Sequence, residues 1–240
     1  MNIKIQMKKA LFALVFLPTL SLANTEVHLD SAPIDASNHE SLQRGARTFI
    51  NSCLNCHSAN YMRYNRLLDI GLTEKQVKEN LLFAGDKIGD PMKSAMSKSD
   101  AKKWFGVAPP DLSVETRARG ADWVYTYLRG FYRDADSPTG WKNCVFDPKS
   151  CSVGMPHVLY ELQGEQTMNH ETHKLELTKP GKMSVAEYDA MVGDLTNYMA
   201  YMADPTEQKY TRLGYFVMLF LSVLLVLAYK LKKAYWKDIH

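Results

Sequence analysis

The 240-residue sequence predicts a mainly α fold, in which one exported helical domain is joined to a single C-terminal transmembrane helix. Three observations lead to this prediction. Two segments combine helical apolar spacing with helix-start signals, both chain ends carry strongly apolar runs, and the second run is close to the length of a bilayer crossing. Hydrophobic residues make up 46% of the chain, which excludes an intrinsically disordered polymer.

The N-terminal segment, residues 1–23, has the features of a cleaved secretory signal. Three lysines and no acidic residue precede an uncharged run of eight residues, and the small-residue pattern ending at Ala23 is similar to a signal-peptidase site. Eight residues are too few to span a bilayer core of about 30 Å. A retained N-terminal anchor is the alternative interpretation.

A first amphipathic helix is predicted to begin near residue 37. Ser37 and Glu40 have capping-box spacing. Apolar side chains then recur at helical intervals, at Leu42, Ala46, Phe49, Ile50 and Cys53. Gly45 and Phe49 share one face, where a glycine permits close approach of a second helix.

The sequence Cys53-Leu54-Asn55-Cys56-His57 has the C-x-x-C-H spacing of covalent haem attachment. In a helical turn, positions i, i+3 and i+4 lie on one face, so two thiols can form thioethers with the haem vinyl groups while the imidazole meets the iron. A zinc half-site, a thioredoxin-like redox pair and a chance match are the alternatives. Zinc would need more ligands at short spacing, and an exported location favours haem.

A haem iron held by one histidine has a sixth coordination position, whose occupant decides between electron transfer and peroxide or gas chemistry. Met155 is the leading candidate, because Gly154-Met155-Pro156 lies in an irregular segment that can fold over the opposite haem face. Other candidates remain open: Met62, Met92, Met96, Met168, Met183, His157, His170 and His173.

Cys144 and Cys151 close a short loop that ends four residues before Met155. In an oxidising compartment we expect a disulfide, which would restrain the segment that presents the ligand. Free thiols, or a zinc site with His157, are the alternatives.

The middle of the chain contains a helix predicted over residues 122–132 and two notable arginines. Arg117 and Arg119 are candidate partners of a haem propionate, because a guanidinium offers a fork of donors to a carboxylate. Solvated surface arginines are the alternative. No internal repeat, Walker loop or Ser/His/Asp signature is present.

A second amphipathic helix is predicted from a capping box at Ser184 and Glu187, with Pro205 beyond its end. It can pack face to face with the first helix.

The C-terminal run Leu213 to Tyr229 contains 17 residues without a charge, which at about 1.5 Å per residue is near the lower limit for spanning a membrane. Apart from Ser222 the run is apolar on all sides, whereas a buried core helix normally has a polar stripe.

The predicted organisation is therefore an exported domain at 24–210, a transmembrane helix at 211–230 and a tail at 231–240. The lysines of the tail place it in the cytoplasm by the positive-inside rule. The exported domain contains 21 basic and 25 acidic side chains, so the overall charge of +3 does not indicate a nucleic-acid binder.

Together these residues resemble the cytochrome c1 family, the haem subunits of quinol–cytochrome c reductase (bc1) complexes. The resemblance covers most of residues 37–233. Its matching segments are Ser41-Leu42-Gln43-Arg44-Gly45, Cys53-Leu54-Asn55-Cys56-His57-Ser58, Arg63-Tyr64, Ala108-Pro109-Pro110-Asp111-Leu112-Ser113, Arg117-Ala118-Arg119 and Gly154-Met155-Pro156, together with the C-terminal anchor. Trp123 stands where the family often has Tyr, and the Cys144/Cys151 loop is not universal.

The resemblance implies a class I cytochrome c-like haem domain with one covalently attached haem c. In this family pattern His57 is the proximal ligand, Met155 the distal ligand, Pro110 packs against the haem and Arg119 pairs with a propionate. The residues given a haem role are thus Cys53, Cys56, His57, Pro110, Arg119 and Met155.

The implied function is one-electron transfer from a Rieske iron–sulfur protein to a c-type cytochrome, as a subunit of a quinol–cytochrome c oxidoreductase rather than a catalyst by itself. The anchor would hold the chain beside cytochrome b in the bacterial cytoplasmic (inner) membrane, with the haem domain in the periplasm. The acidic excess of the exported domain predicts a basic acceptor. The alternatives are a stand-alone membrane-anchored cytochrome c feeding a terminal oxidase, and a haem peroxidase or gas sensor with an open iron.

Overall fold

The computed structural model describes residues 27–169, 171–172 and 174–237. The predicted signal segment and two rival ligands, His170 and His173, lie outside the described residues. The mainly α prediction is confirmed. The helices are α1 (His39–Thr48), α2 (Glu74–Asn80), α3 (Lys98–Phe105), α4 (Glu115–Arg119), α5 (Ala121–Arg129), α6 (Tyr160–Gln163), α7 (Val185–Ala203) and α8 (Glu207–Tyr235).

Short antiparallel strand pairs, which the sequence did not predict, connect the helices. The strands are β1 (Ala59–Arg63), β2 (Pro91–Met92), β3 (Tyr132–Arg133), β4 (Trp141–Lys142), β5 (Gly164–Asn169) and β6 (Lys174–Pro180), paired in the order β1–β2, β3–β4 and β5–β6. Each of the first two pairs includes a strand of only two residues, which is too short to show the alternation of apolar and polar residues that identifies a strand in a sequence.

Helices α1 and α7 pack closely, as their glycine and aromatic residues predicted. A Cβ atom at Gly45 would lie 2.1 Å from the backbone oxygen of Asp194 and 2.7 Å from the Cβ of Tyr198, so only glycine fits there. Beside this contact, the rings of Phe49 and Tyr198 lie 5.7 Å apart. Arg44 donates to the Asp194 carboxylate from Nε at 2.6 Å, which fixes the same crossing.

The start of α1 differs from the prediction. Asn38, and not Ser37, is the N-cap, since its side chain accepts a hydrogen bond from the backbone of Ser41. The Ser37 hydroxyl instead donates to the carboxylate of Asp35 in the preceding turn. The predicted capping box between Ser37 and Glu40 is therefore wrong.

Helix α5 is shorter than the predicted helix at 122–132. It ends at Arg129, Gly130 follows, and the chain then enters β3. The side-chain amide of buried Asn143 donates to the carbonyl oxygen of Tyr127 at 2.7 Å. This tertiary contact satisfies a carbonyl of the last turn, so the helix can end before its apolar pattern does.

The capping box predicted at the start of α7 is present, with Ser184 and Glu187 bonded reciprocally. The helix ends at Ala203, before Pro205. Among the described elements, α7 contributes the most buried apolar side chains to the core. Tyr188 and Leu195, for example, are 2% and 0% exposed.

The C-terminal helix α8 contains the stretch Leu213–Tyr235, which is long and apolar enough to cross a membrane. Its mean hydropathy is 2.1, and none of its most apolar window is buried within the chain. A helix this apolar with no protein around it fits a lipid surrounding.

Candidate functional site

The C-x-x-C-H segment forms a tight turn at the end of α1. A π-helical turn, Phe49–Cys53, continues α1, and the backbone N–H groups of Cys56 and His57 then donate to the carbonyl of Cys53 at 3.1 and 2.8 Å. These bonds hold the two free cysteines and His57 within one tight turn, and the spacing predicts that their side chains share one face of it. Burial raises the pKa of the Cys53 thiol to about 12, so this thiol carries its proton at neutral pH.

The orientation of His57 is set by a backbone carbonyl. Its Nδ1 lies 2.8 Å from the carbonyl oxygen of Pro110. A carbonyl only accepts, so Nδ1 carries the proton and Nε2 keeps its lone pair. Burial lowers the pKa of His57, although the Pro110 carbonyl and nearby carboxylates oppose the shift, and the ring is neutral at pH 7. A neutral imidazole with one bonded nitrogen is the usual form of a metal-binding histidine.

The loop that supplies the Pro110 carbonyl is fixed by Asp111. Its carboxylate accepts hydrogen bonds from the backbone and side chain of Asn60 at 2.9 and 2.6 Å, and from the backbone of Ser113 at 2.9 Å. Burial acts to raise the pKa of Asp111, but the hydrogen bonds from Ser113 and Asn60 outweigh it and lower the pKa. The loop is thus bonded to β1, directly after the C-x-x-C-H turn.

Met155 is half-buried and lies against an aromatic group. The hydroxyl of Tyr127 donates to its Sδ at 3.5 Å. Tyr127 stacks on Trp123 with ring centres 4.9 Å apart and meets Phe131 edge to face at 5.1 Å. Burial raises the pKa of Tyr127, so its hydroxyl keeps the proton that it donates.

An ion pair links the two halves of the site. Arg119 Nε donates to Glu115 at 2.5 Å, and the Arg119 guanidinium lies 4.5 Å over the ring of Trp123. The backbone N–H of Glu115 donates to the carbonyl of Leu112 at 3.4 Å, in the same loop whose Pro110 carbonyl bonds His57. The His57 turn and the Met155 region therefore border one site, which we call the candidate haem site.

The loop before Met155 is closed by a bond between Cys144 and Cys151, whose Sγ atoms are 2.00 Å apart in the structure. Inside the loop, the backbone N–H of Cys151 donates to the carbonyl of Asp147 at 2.8 Å. The Arg119 guanidinium lies 5.6 Å from the ring of Phe146, which joins this loop to the candidate haem site.

Three of the other candidate distal ligands, His157, Met62 and Met92, are buried among core residues. His157 is 3% exposed, stacked on Phe131 at 4.7 Å and edge-on to Trp141 at 4.9 Å, and burial lowers its pKa to about 4. Met62 and Met92 are fully buried core residues. Within the described ranges, no three His, Cys, Asp or Glu side chains converge to hold a metal ion.

Sequence reasoning missed Tyr127 and Glu115, and it gave Trp123 no role. The sequence contains a pattern that could have identified them. Residues at four-residue spacing can lie on one helix face, and this spacing links Glu115, Arg119, Trp123 and Tyr127 across α4 and α5. It also missed that Pro110 acts on His57 through a carbonyl, which no side-chain pattern reveals.

The donor set fits a c-type haem. It offers two free thiols and a neutral imidazole on one turn, a thioether sulfur under a hydroxyl donor, and an arginine beside them. Arg119 uses Nε for Glu115, and its other guanidinium nitrogens form no hydrogen bond within the described chain.

Comparison with known proteins gives a consistent result. The sequence profile of the Cytochrome C1 family matches residues 30–239. A protein named ammonia monooxygenase gamma subunit, from Nitrosomonas europaea, is 51% identical over 234 residues, covering 97% of this chain and 98% of that protein. Cytochrome c1 of Allochromatium vinosum is 48% identical over 248 residues, covering 98% and 100%. Cytochrome c1 of Rhodospirillum rubrum is 28% identical over 221 residues, covering 82% and 81%.

Proposed function

Because this chain belongs to the cytochrome c1 family, whose members are haem electron carriers of bc1 complexes, we propose that it accepts electrons from a Rieske iron–sulfur protein and passes them to a c-type cytochrome. The observation that carries the proposal is the pair of prepared donors. His57 has Nδ1 bonded to the Pro110 carbonyl, and Met155 has its sulfur bonded to the Tyr127 hydroxyl.

A c-type haem supplies a one-electron couple, and coordination by one histidine and one methionine lets the iron change oxidation state without changing ligands. In this proposal Cys53 and Cys56 attach a single haem, His57 is the proximal ligand and Met155 the distal ligand. The closed coordination favours electron transfer over peroxide or gas chemistry.

The other residues of the site hold these ligands in place. The Pro110 carbonyl keeps the His57 ring in one tautomer, and Asp111 keeps the Pro110 loop on β1. Arg119 is proposed to pair with a haem propionate through its unused guanidinium nitrogens, while Glu115 and the ring of Trp123 fix its orientation.

The anchor determines where this chemistry takes place. Helix α8 would hold the domain beside cytochrome b in a bacterial cytoplasmic membrane, with the domain on the periplasmic side. The lysines of the tail support a cytoplasmic C-terminus.

A second candidate function is a subunit of a monooxygenase, because a relative that is 51% identical is named ammonia monooxygenase gamma subunit. It would use the same haem ligands and differ only in its partners. The proteins that accompany the chain therefore separate the two candidates.

The experiment is purification of the chain from detergent-solubilised membranes, with its partners identified by mass spectrometry and quinol–cytochrome c reductase activity measured before and after loss of the gene. We expect cytochrome b and a Rieske protein in the same fraction, and no activity without the gene. Copurification with monooxygenase subunits, and unchanged reductase activity, would contradict the leading proposal.

A further inference from the structure

The segment at residues 93–107, which contains α3, is attached to the C-x-x-C-H loop at its beginning. The Ser94 hydroxyl donates to the carbonyl of Asn55 at 2.8 Å, and the Ser94 backbone N–H donates to the hydroxyl of Ser58 at 3.0 Å. Asn55 and Ser58 flank Cys56 and His57, so the start of this segment borders the proximal side of the candidate haem site.

The end of the same segment reaches the distal side. A Cβ atom at Gly154 would lie 3.5 Å from Cγ1 of Val107, so Val107 lies over the residue before Met155. Three residues later the chain supplies the Pro110 carbonyl to His57. Helix α3 therefore connects the two loops that present the proposed ligands, and a protein bound on its outer surface lies next to the haem.

This segment carries the opposite charge to the domain around it. It contains one aspartate and four exposed lysines. We call these lysines the lysine surface: Lys93, Lys98, Lys102 and Lys103. Asp100 lies 3.7 Å from Lys103 and makes no ion pair with the others. Lys93, Lys98 and Lys102 form no ion pair with any described residue, so their charges are directed to solvent.

Two apolar side chains stand among these lysines. Trp104 is 66% exposed and Val107 is 57% exposed, and Val107 adjoins the candidate haem site through Gly154. Interfaces between proteins combine a small apolar or aromatic centre with a polar rim, and exposed tryptophan is the residue most often found at energetic centres. An exposed tryptophan in the same helix as exposed lysines is suited to a partner with an apolar centre and an acidic rim.

We propose that the lysine surface, together with the exposed Trp104, docks an acidic electron-carrier protein that receives the electron from this chain. This inference rests on the proposed electron-transfer function and replaces the expectation of a basic acceptor. That expectation used the charge of the whole domain, yet charges more than about 10 Å apart are largely screened at 0.1 M salt. The charges nearest the docking surface therefore weigh most in selecting the partner. The carboxylates of Asp111 and Glu115 at the candidate haem site are already bonded within the chain, to Asn60 and Ser113 and to Arg119, whereas Lys93, Lys98 and Lys102 form no ion pair with a described residue.

The test uses the detergent-solubilised complex and one acceptor in two charge forms. A basic mitochondrial-type cytochrome c is compared with the same protein after succinylation of its lysines, which makes it acidic. The complex is reduced chemically, freed of reductant and mixed rapidly with each oxidised acceptor over a range of ionic strengths. Reduction of the haem by quinol is measured separately, so that failure of the proposed function is distinguishable from failure of this inference.

We expect the acidic form to react at least about tenfold faster at low salt, with a rate that falls as salt rises. The double variant Lys98→Glu/Lys102→Glu should reverse this preference, because both side chains are exposed and neither forms an ion pair. The double variant Lys75→Glu/Lys174→Glu makes the same charge change at exposed lysines outside the lysine surface, and it should retain the preference of the unaltered complex.

A preference of the unaltered complex for the basic form would overturn the inference, as would equal effects of the two double variants. If the Lys98→Glu/Lys102→Glu change slows reduction by quinol and leaves transfer to both acceptors unchanged, the lysine surface docks the electron donor and the inference is wrong.

Discussion

Tyr127 is the residue through which this chain can adjust the Met155 sulfur. Its hydroxyl donates to Sδ at 3.5 Å, and stacking on Trp123 holds the phenol in that position. A donor on the thioether withdraws electron density from the sulfur. In the proposed coordination, a Met155 sulfur with this donor would stabilise a ferric iron less well, which would favour the reduced haem and raise its reduction potential.

We predict that Tyr127→Phe lowers the reduction potential of the haem by about 20–60 mV. This range corresponds to one hydrogen bond of about 0.5–1.5 kcal/mol, converted at about 59 mV per tenfold change in equilibrium constant. The measurement is a redox titration of the c-type haem absorbance in the solubilised complex. Tyr125→Phe is the matched control, because that hydroxyl bonds the Asp189 carbonyl at 3.5 Å. Equal shifts in both variants, or none in Tyr127→Phe, would remove Tyr127 from this role.

The residue scale also shows which site positions a sequence can predict. Spacing within one turn makes Cys53, Cys56 and His57 the proposed haem residues, and an irregular neighbourhood makes Met155 the proposed distal ligand. The contacts of Pro110 and Tyr127 join residues 53 and 28 positions apart. Such contacts depend on tertiary packing, which local spacing does not encode.

At the scale of elements, the α1–α7 crossing is the contact on which the domain depends most. The missing side chain at Gly45 allows the backbone of Asp194 to approach, and Phe49 and Tyr198 fill the space beside it. Because Phe49 opens the π-helical turn that leads to Cys53, this crossing also positions the C-x-x-C-H segment.

We predict that Gly45→Ala lowers the free energy of unfolding by about 2–3 kcal/mol or more, because the new methyl group overlaps backbone that cannot move without separating the helices. Guanidinium unfolding of the solubilised full chain, followed by circular dichroism, measures this. Gly89→Ala is the control, since a Cβ atom there meets nothing within 4 Å, and we expect a change within about 1 kcal/mol. Similar losses in the two variants would contradict the packing explanation.

The start of α7 provides a prediction for a helix cap and its pH dependence. Glu187 accepts hydrogen bonds from the backbone N–H and hydroxyl of Ser184 at 2.9 and 2.8 Å, which lower its pKa from 4.5. A carboxyl whose pKa is lowered by folding stabilises the fold above its unfolded pKa. That contribution is lost as pH falls through the lowered value, below about 4.5.

We predict that Ser184→Ala lowers the free energy of unfolding by about 1 kcal/mol at neutral pH. Glu187→Gln keeps an acceptor but cannot titrate, so its stability relative to the unaltered chain should improve as pH falls below 4.5. Unfolding curves at pH 7 and at pH 4 measure both effects. A Glu187→Gln difference that is the same at the two pH values would contradict the assigned role of the carboxylate.

The sequence predicted some helices correctly and missed the bounds or the existence of other elements. Long helices with strong apolar spacing, α1 and α7, were predicted from the sequence, whereas the cap of α1 and the end of α5 were not. In both failures a tertiary or turn contact decided the boundary: Asp35 binds Ser37, and Asn143 binds the last turn of α5. The β5–β6 hairpin was missed because its strands are largely polar, with β5 half-buried and β6 exposed.

At the scale of the whole molecule, the chain separates into a packed domain and an apolar helix that the domain does not cover. The described core lies between α1 and α7 and the elements packed on them, and the stretch Leu213–Tyr235 contributes nothing to it. The anchor and the haem site therefore depend on different parts of the sequence.

We predict that a chain ending at Tyr210 still acquires haem but is recovered in the soluble periplasmic fraction. Its core is complete without α8, while membrane attachment requires the apolar stretch. Haem staining of membrane and soluble fractions measures the distribution. Retention of the shortened chain in washed membranes would show that other contacts hold it there.

The net charge of the chain is informative only when it is assigned to separate parts of the structure. The total of +3 combines basic chain ends with an acidic domain, and the domain in turn contains the lysine surface beside the haem site. Composition gives the average charge of the domain, but the attachment of the segment that carries Lys98 and Lys102 to the C-x-x-C-H loop is visible only in the fold.

Rapid mixing of the oxidised, solubilised complex with quinol tests the proposed function most directly, with the absorbance of the c-type haem followed in time. We predict that the haem attached at Cys53 and Cys56 is reduced within the first turnover. In a Met155→Leu variant the haem should stay attached, lose the methionine-to-iron charge-transfer band and accept the electron more slowly. A haem that remains oxidised while the haems of cytochrome b become reduced, and that a chemical reductant still reduces, would contradict the proposal.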